Sequence, residues 1–159
     1  MALRDTRAVE TIDELKPLVG QELSVGEWVE VTQDRVNAFA DITGDHYFIH
    51  VDPERAKQTP LEGTVAHGFL TLSLLPLLGQ HKRGIVLDLH PKLMLNYGLN
   101  RVRFTAPVRV GKRIRLRTSL QAIDEHEPNA YTLTQRQTVE IEDEPKPAMI
   151  AEALLRVYL

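Results

Sequence analysis

A carboxylate and an imidazole stand five positions apart in the first half of the chain, as Asp45 and His50. Asp45 directly follows Gly44, and bulky residues that include Tyr47 and Phe48 separate it from His50. Histidine is the side chain whose unperturbed pKa lies nearest neutrality. A carboxylate within hydrogen-bond reach would fix the tautomer of the ring and favour proton exchange through a shared water. Asp45 and His50 are therefore a candidate acid/base pair, with apolar neighbours that would keep it away from bulk water.

Two other interpretations of this stretch stay open. Gly–Asp turns are common, so Asp45 could be a plain turn residue and His50 a half-buried ring. His46 and His50 are also spaced by one helical turn, and with Asp45 or Asp52 they could ligate zinc or iron. Pro53 and the glycine turn argue against a continuous helix here, so no metal site is predicted.

A second candidate feature is Gly68, at the point where a helix is predicted to begin. The first N–H groups of a helix have no partner inside it. Glycine allows a ligand to approach such groups closely, and they can polarise a carbonyl. Alternatively, Gly68 only lets the helix pack tightly on a sheet. His67, just before it, is interpreted mainly as a capping or packing residue, with direct catalysis as the lesser alternative.

The elements that must position these residues are mostly helical in the first half of the chain. Thr11 and Glu14 have the spacing of a capping box, which predicts a short helix that ends by Gly20. The further predicted elements are a strand over residues 22–31, a helix over 33–42 that Thr32 caps and Gly44 ends, and a short helix over 54–57.

The segment 67–78 differs from these helices because it is apolar on nearly every side. A helix that is apolar all round is a buried helix. Pro76 lies within the segment and is expected to shorten or kink it. We therefore predict a central buried helix.

The second half of the chain is rich in β-strand patterns, with strands predicted over residues 93–104, 113–124, 130–142 and 149–158. One buried helix followed by antiparallel strands predicts an α+β fold in which the sheet wraps around the helix. With 159 residues, the chain is expected to form a single domain, in which residues 1–20 are an N-terminal helical extension.

Composition and charge exclude several classes of protein. The net charge of −3 argues against a general nucleic-acid binder, which needs a cationic surface. The chain has no cysteine, so disulfides, thiolate zinc sites and a cysteine nucleophile are excluded. No apolar run is long enough for a membrane span, and no signal peptide is evident at the N-terminus. Cytoplasmic location follows as the default expectation.

Basic residues crowd one region of the second half, and they have two interpretations. They are Arg101, Arg103, Arg109, Lys112, Arg113, Arg115 and Arg117. The alternating arginines at 113–117 are interpreted as an exposed sheet face. One member of the set could instead contact the phosphates of an anionic ligand such as coenzyme A.

Two separated motifs occur in an order that resembles a known family. The stretch from Asp45 to Pro53, followed by Ala66-His-Gly-Phe-Leu-Thr-Leu, is similar to the MaoC-like (R)-specific enoyl-CoA hydratases, in the branch related to nodulation protein N. Residues 96–104 and 106–111 are also similar to the strand that follows the helix in that family. The resemblance covers nearly the whole chain.

The resemblance implies a hot-dog fold, in which an antiparallel sheet wraps a long central helix. It also implies that Asp45 and His50 activate water for addition to Cβ of a trans-2-enoyl thioester, to give a (3R)-3-hydroxyacyl product. The amide of Gly68 would donate to the thioester carbonyl, and Tyr47, Phe48 and His67 would line the pocket. The acyl group would be carried by coenzyme A or a carrier protein, no cofactor would be needed, and the protein would form a homodimer.

Tyr47-Phe48 is a departure from the common family motif, which has Asn-Pro between the two dyad residues. Two other functions remain alternatives. A hot-dog thioesterase often has a carboxylate on its central helix, and residues 67–78 contain no Asp or Glu. A binding subunit without activity could use the same fold.

Overall fold

The computed structural model describes residues 6–159, and its second half forms most of one β-sheet. The strands are β1 (Arg7–Val9), β2 (Glu22–Gly26), β3 (Val29–Glu30), β4 (Lys82–Leu87), β5 (Leu93–Phe104), β6 (Arg113–Glu127), β7 (Ala130–Ile141) and β8 (Met149–Tyr158). The helices are α1 (Ile12–Leu15), extended by a 3-10 turn (Lys16–Leu18), then α2 (Gln33–Thr43), α3 (Phe48–Val51), α4 (Pro53–Ala56), α5 (Gly68–Ser73) and α6 (Leu75–Leu78). The predicted α+β class is confirmed.

The strands follow the order β1-β4-β2-β6-β7-β8-β5, and β3 pairs with β6. β1 pairs with β4 in parallel, whereas the long strands β5 to β8 pair antiparallel. β5 therefore lies at one end of the order, with β8 as its only neighbour in this path. The strands predicted in the second half of the sequence are confirmed.

The N-terminal segment requires a correction. The capped helix that begins at Ile12 is present, and Thr11 accepts a hydrogen bond from the Glu14 N–H. Residues 7–9, however, are not helical but form β1, which pairs with residues 85–87 of β4. β4 itself was not predicted. Both strands are short and lack a long alternating pattern, so their pairing with each other defines them more than their own sequences do. Residues 1–5 of the predicted extension lie outside the described residues.

The central helix is present as two short helices in sequence. α5 ends at Ser73, α6 begins at Leu75, and Leu74 joins them with backbone angles of φ −80° and ψ −8°. Pro76 lies in the first turn of α6, where it has no N–H to donate to the preceding turn. The expectation that Pro76 shortens or kinks the helix is thus confirmed.

One face of this central helix is not buried, contrary to the prediction from its composition. Leu70 and Leu78 lie in the core against β6 and β8, but the Phe69 side chain is 68% exposed. Within the part of the chain that the structure describes, the sheet therefore covers only part of the apolar surface of α5 and α6. Several apolar side chains of β5 are exposed as well.

The alternating arginines of β6 form ion pairs across the outer face of the sheet. The pairs are Arg113 with Glu142, Arg115 with Glu140, and Arg117 with Glu22 and Glu140. Between them, Ile114 and Leu116 point into the core, as does Leu120 farther along β6. The interpretation of residues 113–117 as an exposed sheet face is confirmed, and these arginines are already paired with carboxylates.

No helix among residues 6–159 is long and apolar enough to cross a membrane.

Candidate active site

Asp45 is positioned by the end of α2. The helix terminates at Gly44, which adopts a left-handed conformation with φ of 77° and donates its N–H to the Ala40 carbonyl at 2.8 Å. The chain then turns sharply, and the Asp45 Oδ1 accepts a hydrogen bond from the Tyr47 N–H at 3.3 Å. The carboxylate thus has a defined place next to the helix end, as the Gly44 prediction required.

His50 is held by the single turn of α3 and is 9% exposed. Its Nδ1 lies 2.7 Å from the carbonyl oxygen of Val65. A carbonyl only accepts, so Nδ1 carries the hydrogen and Nε2 of the neutral ring is left as a free acceptor. The backbone carbonyl of His50 accepts from Gln33 Nε2 at 2.8 Å, which fixes α3 against the start of α2.

His67 immediately precedes α5 and is 3% exposed. Its Nε2 lies 2.9 Å from the backbone carbonyl of Asp45, so Nε2 carries the hydrogen. The other ring nitrogen, Nδ1, is a buried acceptor with no hydrogen-bond partner within residues 6–159. The His67 ring stacks on that of His50, with centroids 3.8 Å apart and planes inclined by 25°. His67 therefore links the two predicted catalytic residues to the central helix.

One atom each of Asp45, His50 and His67 converges on a common space. These three atoms all lie within 4.8 Å of one another. At that separation, a point at their centre is about 2.8 Å from each atom, which is the length of a hydrogen bond to water. A water at that point lies at hydrogen-bond distance from all three groups and, with its two hydrogens, can donate to two of these acceptors at a time, such as the Asp45 carboxylate and His50 Nε2. Two imidazoles and a carboxylate are also a set of donors that a divalent transition metal can use.

The interpretation of His46 as a metal ligand beside His50 is not supported by their positions. His46 Nε2 lies 2.8 Å from Asp41 Oδ1 on the exposed surface of α2, and this contact raises the pKa of His46. α3 begins only at Phe48, so His46 and His50 do not share a helix. The histidine that joins the pair is His67, which is distant in the sequence.

The environment of His50 lowers its pKa from the ordinary value of 6.5. Burial is the largest cause, because it disfavours the charged ring. The hydrogen bond to the Val65 carbonyl acts in the opposite direction, His67 lowers the pKa further, and Asp45 raises it. The neutral ring, with Nε2 free to accept a proton, is favoured as a result.

Gly68 is the first residue of α5 and borders a cavity of about 270 Å³. Other walls of this cavity come from Ala66, Phe104 and Pro107. A Cβ atom at Gly68 would lie 2.8 Å from Phe104 Cδ2, which is too close for an unstrained contact. The packing role proposed for Gly68 is therefore real, and it coexists with a cavity beside the backbone.

Tyr47 and Phe48 lie beside the group rather than inside it. The Tyr47 side chain is 58% exposed, and its ring contacts that of Phe48 with centroids 4.8 Å apart. The guanidinium of Arg55 covers Phe48 at 4.1 Å from the ring centroid. Asp45 is exposed as well, so these aromatic residues do not shield the pair from water within one chain.

Comparisons with known proteins agree on one family. Residues 14–141 match the family model described as a MaoC like domain. The 3-hydroxyacyl-thioester dehydratase Z of Mycobacterium tuberculosis is 47% identical over 150 residues, which is 94% of this chain and 97% of that protein. Nodulation protein N of Rhizobium leguminosarum bv. viciae is 46% identical over 134 residues, or 84% of this chain and 82% of that protein.

A solved structure adds to this agreement. The (R)-hydratase from A. caviae involved in PHA biosynthesis aligns with a TM-score of 0.66 and 29% identity, over 86% of this chain and 94% of that one. The hot-dog fold implied by the sequence motifs is confirmed. The chain belongs to the MaoC-like dehydratase family and is an enzyme of the hydratase–dehydratase type.

Proposed function

We propose that the protein adds water to trans-2-enoyl thioesters to give (3R)-3-hydroxyacyl thioesters, and catalyses the reverse dehydration. The observation that carries this proposal is the convergence of Asp45, His50 and His67 on a space for one water. Relatives named for dehydration of 3-hydroxyacyl thioesters and for (R)-specific hydration of enoyl-CoA support it. The experiment is loss of the conjugated enoyl absorbance when purified protein is mixed with trans-2-enoyl-CoA of increasing chain length.

In the proposed mechanism, the water is held by the Asp45 carboxylate and His50 Nε2. Its oxygen forms a bond to Cβ while one O–H bond breaks, and that proton passes to the Asp45–His50 pair. The electron pair of the double bond moves toward the thioester carbonyl and forms an enolate. The pair then returns a proton to Cα, so that the elements of one water are added across the double bond.

The two buried contacts of the histidines serve this mechanism by fixing orientation. The Val65 carbonyl holds the His50 hydrogen on Nδ1, so Nε2 is available as the base. His67 Nε2 holds the backbone of Asp45, and the stacked His67 ring restricts the plane of the His50 ring. Orientation of a base by a second group in this way is a common requirement of acid/base catalysis.

The N–H of Gly68 is proposed to donate to the thioester carbonyl oxygen. The cavity beside Gly68 provides space for that oxygen, and a donor there would stabilise the negative charge of the enolate. No metal or organic cofactor takes part in this scheme. The acyl carrier, coenzyme A or a carrier protein, and the cytoplasmic location remain predictions from the sequence.

The pH dependence of kcat/KM should report the lowered pKa of His50. A base with a lowered pKa stays neutral to lower pH, so the acidic limb of the profile should fall below 6.5, the ordinary histidine value. Replacement Asp45→Asn removes a group that raises this pKa, and it should move the limb further down. The measurement is hydration rate from pH 5 to 8, and a wild-type limb above 6.5 would contradict the assignment of His50 as the base.

We further propose that the protein works as a homodimer formed through β5. Apolar side chains on this strand and on the nearby helix face, each at least 42% exposed, are Leu93, Met94, Leu95, Tyr97, Leu99, Phe104 and Phe69. An edge strand also leaves backbone N–H and C=O groups that a second copy can pair with. An exposed apolar surface of this extent is typical of an interface. A second copy would also supply cover for the exposed Asp45.

The dimer proposal predicts that Leu95→Lys and Leu99→Lys together give a monomer. Two charges in an apolar interface lose their hydration on association, which opposes dimer formation. Light scattering after size-exclusion chromatography would measure the mass. Val19→Lys is a matched control, since Val19 is also an exposed apolar residue but lies before β2. A monomeric wild-type protein, or a double variant that still has the mass of a dimer, would refute this interface.

A further inference from the structure

A second, larger cavity lies between the central helix and the sheet, farther along the helix than Gly68. It has a volume of about 500 Å³, and most of its wall is apolar, with Leu72, Leu75, Leu99 and Leu154 among its residues. It adjoins a recess of about 150 Å³, and both spaces are bordered by Leu75, Pro76, Gln135 and Gln137. We call the larger space the channel and the recess the chamber, and their four shared residues place them side by side.

The chamber has polar side chains among its apolar walls. Ser24, Thr118 and Gln135 line it and are each at most 8% exposed. Gln137 donates from Nε2 to Gln135 Oε1 at 3.3 Å. Its own Oε1 is buried and accepts no hydrogen bond from any residue that the structure describes. A buried acceptor without a partner is costly, which indicates that a donor occupies this place in the working protein.

Lys82 completes the chamber from the first position of β4. Burial lowers the pKa of Lys82, and burial is the only cause found for this shift, so no carboxylate among residues 6–159 compensates its charge. Lysine offers hydrogen-bond donors and no acceptor. The chamber is therefore bordered by the buried, unpaired Oε1 of Gln137 and by Lys82, whose side chain supplies hydrogen-bond donors.

We propose that the chamber binds a hydroxyl group carried on the acyl chain of the substrate, far from the thioester. A hydroxyl both donates and accepts, so it can donate to Gln137 Oε1 and accept from Lys82 Nζ. A carboxylate could accept from Lys82 but would leave Gln137 Oε1 without a donor. An alkyl end would likewise leave Gln137 Oε1 without a donor. This inference rests on the proposed function, because it assigns a substrate class to the same enzyme.

The distance along the central helix determines how long an acyl chain must be to reach the chamber. Pro76 lies eight residues after Gly68. At 1.5 Å per residue of helix, this is at most about 12 Å from the amide that we assign to the thioester carbonyl, because the helix is interrupted at Leu74. A four-carbon acyl group is too short to reach Gln137, whereas a ten-carbon chain is of comparable length. The preference for a hydroxyl should therefore appear only in chains of medium length.

The test compares trans-2-decenoyl-CoA with the same thioester carrying a terminal hydroxyl or a terminal carboxyl group. For the wild type, kcat/KM should be about tenfold higher for the hydroxylated chain than for the unsubstituted one, because a site built around a hydroxyl rejects the chain that lacks it. Gln137→Leu and Lys82→Met should each lower this ratio toward one or below. Because the ratio of kcat/KM compares two substrates on the same variant, a general loss of activity cancels.

Gln121→Leu is the matched control, because Gln121 is an exposed glutamine on β6 and should leave the ratio as in the wild type. Calorimetry with saturated decanoyl-CoA and its terminally hydroxylated form measures the same preference without turnover. Equal affinity for the two forms, or preference for the carboxylated enoyl chain, would overturn the proposal. If the protein binds the hydroxylated acyl-CoA more tightly in calorimetry but hydrates no enoyl-CoA, the proposed function is refuted. The chamber would still be a binding site for the hydroxyl group.

Discussion

Asp45→Asn should lower kcat for hydration of crotonyl-CoA by about 10²–10⁴-fold, the range expected when an acid/base group is lost. The substitution keeps the size of the side chain, and an amide oxygen can still accept from the Tyr47 N–H as the Asp45 Oδ1 does. It removes the negative charge and the ability to exchange a proton. The expected loss is therefore chemical rather than structural, and KM should change much less than kcat.

His50→Asn is the partner variant to this substitution. The amide nitrogen of Asn can take the place of Nδ1 and donate to the Val65 carbonyl, whereas the free Nε2 is lost. A similar fall in kcat is expected. Asp41→Asn is the matched control, since Asp41 is an exposed carboxylate of α2 whose ion-pair partner is His46. If both site variants hydrate crotonyl-CoA at wild-type rates while folding normally, the dyad is refuted.

Gly68→Pro should lower kcat by about 10²–10³-fold relative to Gly68→Ala, as expected for loss of one donor to a developing oxyanion. Proline removes the N–H, and the first position of a helix accepts proline readily. His67 has φ of −59° and ψ of 141°, a conformation that a residue before proline favours. The backbone thus tolerates the change, while the proposed donor is deleted.

Comparison with alanine controls for the added Cβ atom, while proline in addition replaces the N–H hydrogen by the Cδ of its ring. Both variants introduce a Cβ atom close to the Phe104 ring, so this contact is common to both. Only proline loses the donor. The measurement is kcat for hydration, with thermal unfolding as a check on the fold. Equal activity of the two variants would show that Gly68 serves packing alone.

The sequence predicted the local features of the site because they depend on local rules. Gly44 ends α2 in a left-handed conformation, Asp45 follows in the turn, and α5 begins at Gly68. Each of these depends on glycine conformation or on helix termini, which short stretches of sequence specify. The long strands β5 to β8 were predicted because each extends over ten or more residues, and β6 shows the alternation of inward and outward residues most clearly.

The role of His67 could not be predicted from local rules. Its contact with the Asp45 carbonyl spans 22 positions in the sequence, and its stacking on His50 requires that α3 and α5 meet. One available signal was its place directly before Gly68, the first residue of the central helix. The mutual position of the three groups is a property of tertiary packing.

The exposure of Phe69 and of β5 could also not be predicted from the pattern of apolar residues. An apolar helix surface predicts burial, but it does not say whether the covering residues come from the same chain. In the described part of the chain, Phe69 and Leu95 are both exposed. The same pattern is therefore consistent with burial by a second copy, which is the interface proposed above.

The most direct test of the central claim is identification of the product that the purified protein makes from crotonyl-CoA. We predict loss of the enoyl absorbance, no release of free thiol, and a 3-hydroxybutyryl-CoA product of the (3R) configuration by chiral chromatography. Release of free coenzyme A without hydration, or a (3S) product, would contradict water addition by Asp45 and His50 as proposed.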